Sequence, residues 1–129
     1  MQSYNPRSTA RIAHHPIHPM LVPFPIVCFI GTLLTDIAYW QTMEMMWADF
    51  SAWLLAVGLF MGGLAAIAGF IDFLGDRLVR THKAAWLHML GNALAWVLSL
   101  FNAFVHSRDA WTSVVPTGLI LSSVVVLIL

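Results

Sequence analysis

The side chains that could do chemistry in this chain are its histidines and a few carboxylates, and the histidines are bunched. His14-His15-Pro16-Ile17-His18-Pro19 places three of the six histidines within five residues, where a polar tail gives way to a long apolar run. An imidazole can ligate a metal or carry a proton near neutral pH. A residue before proline is pushed out of the α region, so His15 and His18 are both expected to be extended. Pro19 is placed to open a helix, where its missing N–H has no partner to lose. His18, fixed by two prolines, is the better ligand candidate, while His14 and His15 equally suit a place among lipid headgroups. Further along stand His82, His88 and His106, with Asp36, Asp72 and Asp76. No His-Glu-x-x-His, Cys-x-x-Cys or Gly-rich phosphate loop accompanies them, so nothing favours hydrolytic or transferase chemistry.

These residues must be positioned by elements unlike those of a soluble domain. The hydrophobic share is 60% and the charged share 9%, with a mean hydropathy of +0.81. Soluble domains carry about 25% charged residues, so the composition predicts a membrane protein, with the lipid bilayer as its first partner. The six basic residues against six acidic are too few for a nucleic-acid surface. Cys28 is the single cysteine, so no intrachain disulfide can form. Residues 1–19 read as a polar tail with its His-Pro lead-in, and residues 20–129 as one transmembrane domain. The first apolar run is too long for a signal peptide and lacks a small-residue cleavage pattern, which predicts an uncleaved helix.

A bilayer core of about 30 Å needs about twenty helical residues. Met20–Trp40, Ser51–Phe73 and Trp86–Val105 each satisfy that length. Val114–Leu129 is shorter, roughly 24 Å of helix, and ends without a polar residue, so a truncated fourth span is expected. The fold class is therefore all-α, a polytopic bundle of four transmembrane helices. Arg7, Arg11, Arg77, Arg80 and Lys83 fall on one side of it and Arg108 on the other. The positive-inside rule then predicts a cytoplasmic N-terminus.

Polar residues inside a membrane are costly and usually face the bundle interior. In the third span His88, Asn92, Ala95, Ser99, Asn102 and His106 follow spacings of 4, 3, 4, 3 and 4, one face of a helix. In the second span Gly58, Gly62, Ala65, Gly69, Asp72 and Asp76 do the same. Small residues at that spacing let helices approach closely, so Gly58, Gly62 and Gly69 are expected to serve packing. The first span offers Cys28, Thr32 and either Thr35 or Asp36. Tracing the topology groups His14, His15, His18, Asp72, Asp76, His82 and His88 at one end, and leaves Asp36 and His106 near the other, where they could pair. Asp72 is expected to orient His88, with Asn92 beside it, in the manner of groups that steady metal-ligating histidines.

His15-Pro16-Ile17-His18-Pro19-Met20-Leu21-Val22, then Phe24-Pro25-Ile26, Asp36, Gly69-Phe70-Ile71-Asp72 and His88-Met89-Leu90-Gly91-Asn92 together resemble an uncharacterised bacterial membrane family, domain of unknown function 2231. The resemblance runs from His15 through most of the chain, and the His-Pro-X-His-Pro opening is its most specific part. It implies a four-helix, multi-pass protein of the bacterial inner membrane, in a family sometimes fused to or encoded beside Rieske or c-type cytochrome domains. By analogy that implies electron transfer. Relatives carry Tyr-Arg-His-Gly after the fourth helix, which this sequence lacks.

Two functions stand level on the sequence. One is a small b-type haem protein in which His18 and His88 ligate iron, with His14 or His15 as substitutes for His18, since bundle interiors commonly build such sites. The other is a cofactor-free accessory subunit packed against other membrane protein subunits of a respiratory or other energy-converting complex. A proton or metal-ion pathway through Asp72, His88 and Asp36 ranks below both, because the middle of the bundle offers mainly Ser, Thr and Asn.

Overall fold

The computed structural model describes residues 8–108 and 114–129. Arg7 and residues 109–113 of the third connection lie outside them. The chain begins with a minimal hairpin, β1 (Arg11–Ile12) against β2 (His15–Pro16), antiparallel with Ile12 opposite His15. Its two turn residues, Ala13 and His14, both take positive φ, 48° and 69°. Tight two-residue hairpins ask for that left-handed backbone, which normally selects Asn or Gly.

A one-turn helix, α1 (Ile17–Leu21), leads directly into α2 (Pro23–Thr42). His15 is extended, as expected, but His18 is helical. Pro19 stands in the first turn of α1, where backbone N–H groups have no helical partner in any case, and the His18 ring is held from α3. The helix α2 closes on Met43 in the left-handed region (φ 58°), whose N–H donates to Tyr39 O at 2.7 Å. The helix α3 (Met45–Gly75) is longer at both ends than the expected span of 51–73. Its 31 residues cover roughly 46 Å at 1.5 Å each, more than a bilayer core. Glu44 and Asp49 suggested a connection over Gln41–Phe50, but a helix need not end where the hydrocarbon does.

After a 3-10 turn at Val79–Thr81, α4 (Lys83–His106) returns across the bundle. The last element departs from a single helix over 114–129. Val115 is extended (φ −112°, ψ 132°) before the cis Val115–Pro116 bond, within a wide turn at Val114–Gly118, and α5 covers only Leu119–Ile128. The residue before a proline resists the α region, and Pro116 sets the real start of the helix.

Successive helices run antiparallel. Among the described residues α2 packs on α3 and α5, and α4 on the same two. The inner layer sets small and polar residues, Thr32 and Asp36, Ser51 and Gly58, Ala95 and Ser99, Asn102 and His106, Ser122, around a few large apolar ones, Phe29, Leu55 and Val125. The outside is apolar, with Trp53 at 72% exposure, Leu87 at 72% and Leu127 at 85%. Soluble proteins rarely expose continuous apolar surface. Ile17–Thr42, Met45–Gly75 and Lys83–His106 are each long and apolar enough to cross a membrane, and Val114–Ile128 is a shorter apolar helix. The architecture is an all-α membrane bundle.

Candidate functional site

The antiparallel run gathers polar groups at two opposite ends. At one end α1, the start of α2, the second half of α3 and the first half of α4 line a half-open cavity of about 860 Å³. Its walls include His18, Val22, Pro25, Gly62, Ala65, Gly69, Phe73, His88, Asn92 and Trp96. Two glycines of α3 let rings of the cavity wall pack closely. A Cβ on Gly69 would lie 2.8 Å from the His18 ring, and one on Gly62 would lie 3.1 Å from Trp96 Cδ1. The His18 ring therefore rests directly on the backbone of α3, where its Nδ1 donates to Ala65 O at 2.8 Å. That bond keeps the proton on Nδ1 and leaves the Nε2 lone pair free to face the cavity.

The His88 ring stands 6.0 Å from that of His18, centroid to centroid, with the planes at 87°. His88 is exposed rather than buried, its side chain open to the cavity. Asn92, one turn on, donates its amide to His88 O at 2.7 Å and to His88 Nδ1 at 3.3 Å. Accepting at Nδ1 puts the His88 proton on Nε2 while the longer contact is made.

Asp72 lines the cavity but turns to the N-terminal segment and not to His88. Its carboxylate accepts from Thr9 N at 2.6 Å, Ala10 N at 2.7 Å and Ser8 Oγ at 3.0 Å. Those donors fasten the segment before the hairpin onto the end of α3, where Gly75 leaves space for Thr9. His14 and His15 are exposed on the hairpin and do not line the cavity. His82 stands at the N-cap position of α4 without a side-chain capping bond and is exposed.

The opposite end holds a closed ring of hydrogen bonds. Asp36 and His106 are both 0% exposed, and His106 Nε2 meets Asp36 Oδ1 at 2.8 Å. His106 Nδ1 donates to Asn102 O at 2.9 Å. Asn102 Nδ2 donates to Ser122 Oγ at 2.8 Å, and Ser122 Oγ donates to Asp36 Oδ2 at 2.5 Å. Three helices are thus tied together without a lipid-facing polar atom. Gly118 is required beside this ring, since a Cβ there would lie 2.7 Å from His106 Cε1. Nearby, Thr35 Oγ1 and Ser51 Oγ share a hydrogen bond of 2.6 Å between α2 and α3.

Spacing alone indicated the Asp36–His106 pair and the stripe from His88 to His106, of which Ala95, Ser99, Asn102 and His106 are buried while His88 and Asn92 are exposed on the cavity side. It did not indicate Ser122, which completes the ring, or Trp96, whose indole N–H donates to Leu59 O at 3.0 Å. Ser122 stands in a run of Leu, Ile and Val, where a lone hydroxyl inside an apolar helix was the available signal. Trp96 carries no such mark, because tryptophan in a membrane chain usually signals the interface.

Among the described residues no three or more His, Cys, Asp or Glu gather as a metal-holding group. The family described as predicted membrane protein, DUF2231, matches residues 14–129. No curated protein and no solved structure matches the chain.

Proposed function

We propose a haem-binding, electron-transferring role for this chain, which belongs to the DUF2231 family of predicted membrane proteins. The observation that carries the reading is the pairing of His18 and His88 in the wall of an apolar cavity, their rings 6.0 Å apart. Imidazole nitrogens are common haem-iron ligands, and His18 and His88 are the residues that would hold the iron. The cavity volume of about 860 Å³ falls inside the roughly 300–1,000 Å³ of cofactor pockets, which are apolar with few polar groups. The donor set fits haem b, which supplies one-electron transfer at the iron. His18 already has the ligand tautomer, its Nδ1 proton committed to Ala65 O, the usual way a protein orients a metal-bound imidazole. His88 would bind through Nε2 once Asn92 releases Nδ1. Arg80 in the connection before α4 and Lys83 at the first position of α4 stand near the lining residues Val79 and Ala85 in sequence, cations suited to carboxylate substituents at a membrane surface. In this reading the protein spans the bacterial inner membrane with its N-terminus, and hence the cavity, on the cytoplasmic side.

The visible spectrum of the protein purified in detergent, as isolated and after incubation with haem, is the test. A Soret band that disappears in His18→Ala and in His88→Ala is the expected result. A folded wild-type protein that stays colourless in both preparations would sink the proposal. It would leave the second reading, a cofactor-free accessory subunit, favoured by the open apolar flank between α3 and α4 where a helix of another subunit could lie.

A further inference from the structure

Asp72 turns away from His88, yet it stands on the face of α3 that holds the other histidine of the cavity wall. Ala65, Gly69 and Asp72 follow spacings of 4 and 3. The first two seat the His18 ring, through the Nδ1 bond to Ala65 O and the missing Cβ at Gly69. Asp72 Oδ1 accepts from the consecutive backbone N–H groups of Thr9 and Ala10, at 2.6 and 2.7 Å, and from Ser8 Oγ at 3.0 Å. Backbone N–H donors to a carboxylate form the stronger, charge-assisted class of hydrogen bond. From there the line of contacts returns to His18. Ala10 is buried, and its carbonyl accepts from Ile17 N at 3.0 Å. Arg11 pairs with Pro16 in the ladder. The residue bonded to Ala10 is therefore the neighbour of His18.

The element that carries His18 cannot hold itself in place. The helix α1 has five residues, none of them buried, and a helix that short has no stability of its own. Its join to α2 is weakened as well, because Pro23 and Pro25 have no N–H to give to Pro19 O and Leu21 O. The hairpin ahead of it has strands of two residues each, which do not persist alone in water. His88 differs, since it lies within the 24 residues of α4. We infer that Asp72 is a positioning residue for His18. By clamping the backbone of residues 8–10 to α3 it braces the hairpin and α1, and so keeps the His18 imidazole on Ala65 O with Nε2 toward the cavity. For haem the inference rests on the proposed function: His18 is then the ligand whose hold depends on a remote contact, and His88 is not.

Proton exchange at His18 Nδ1 in the ligand-free protein in micelles, followed by nuclear magnetic resonance with isotope-labelled histidine, tests the clamp without haem. His18→Ala identifies the signal, and His106 Nδ1, hydrogen-bonded at the opposite end, is the internal control. Asp72→Leu should speed exchange at His18 about tenfold or more and leave His106 unchanged. Asp72→Asn keeps one carbonyl oxygen for the two backbone donors, so its rate should fall between that of Asp72→Leu and the wild type, and it carries the test if Asp72→Leu does not fold. With haem added, Asp72→Leu should weaken binding about ten- to a hundredfold. It should also convert part of the low-spin spectrum of an iron held by two imidazoles to the high-spin form, which free imidazole should reverse. Unchanged exchange at His18 in both variants, equal acceleration at His18 and His106, or haem bound by both variants with wild-type affinity and spectrum overturns the inference. A wild-type protein that takes up no haem would sink the proposed function instead, and the exchange rates would still decide the clamp.

Discussion

Asp36 and His106 show how little room a membrane interior leaves for an unmatched partner. Each is fully buried, and every hydrogen-bonding atom of the pair faces another group. Removing one member strands the other, so His106→Ala should lower the unfolding free energy by about 3–5 kcal/mol. Ser122→Ala leaves the pair intact and removes one bond to the carboxylate, so it should cost about 1.5–3 kcal/mol. Unfolding in mixed detergent micelles would rank them, and a Ser122→Ala loss larger than that of His106→Ala would mean that the pair is not the centre of the ring. At the other end Asn92 makes the opposite kind of prediction. Its amide holds His88 in the tautomer with the proton on Nε2, so Asn92→Leu should preserve or strengthen the Soret band that His88→Ala abolishes. Loss of colour in Asn92→Leu would show instead that the amide supports the ligand.

The helices carry their instructions in the stripe of small residues, and the glycines divide by what surrounds them. A Cβ on Gly58 would lie 2.7 Å from Phe29 Cε1 and 3.0 Å from Cys28 Cβ, whereas one on Gly91 would meet nothing within 4 Å. Gly58→Ala should therefore destabilise by about 1–3 kcal/mol through overpacking. Gly91→Ala should be neutral or gain up to about 1 kcal/mol from helix propensity. The same unfolding assay compares them, and equal effects would mean that α2 and α3 do not meet at Gly58. The existence and order of the helices were legible because twenty apolar residues have few other uses, and the inward face of α4 because Ala95, Ser99, Asn102 and His106 recur at helical spacing. The ends were not legible. The interface ends the apolar pattern without ending the helix, as at Met45, and the proline that broke the last apolar run at Pro116 sat among residues hydrophobic enough to hide it. The partner of Asp72 was unreadable for another reason: backbone N–H groups at Thr9 and Ala10 have no residue-type signature.

For the molecule as a whole, one arrangement governs which groups can meet. Antiparallel helices place the hairpin, His18, His88 and the 76–82 connection at one end, and residues 43–44, Asp36 and His106 at the other. In a Cys28→Ser background, Arg11→Cys and Arg77→Cys should react with an impermeant maleimide from one face of an intact vesicle, and Glu44→Cys from the other. Labelling of all three from one face would contradict the membrane crossings by α2 and α3.

The large cavity is walled in part by Ile67, Phe70, Leu90 and Val97, each of which is also exposed on the apolar flank. The route into it runs sideways through the acyl chains as much as through water. A ligand that takes this route is drawn from a two-dimensional reservoir, where it has first been enriched by its own partitioning into lipid. Occupancy then follows the ligand's mole fraction in the bilayer or micelle and not its concentration in the whole sample. Doubling the detergent at fixed protein and ligand should roughly halve the driving concentration, as mass action requires when the ligand resides in the apolar phase.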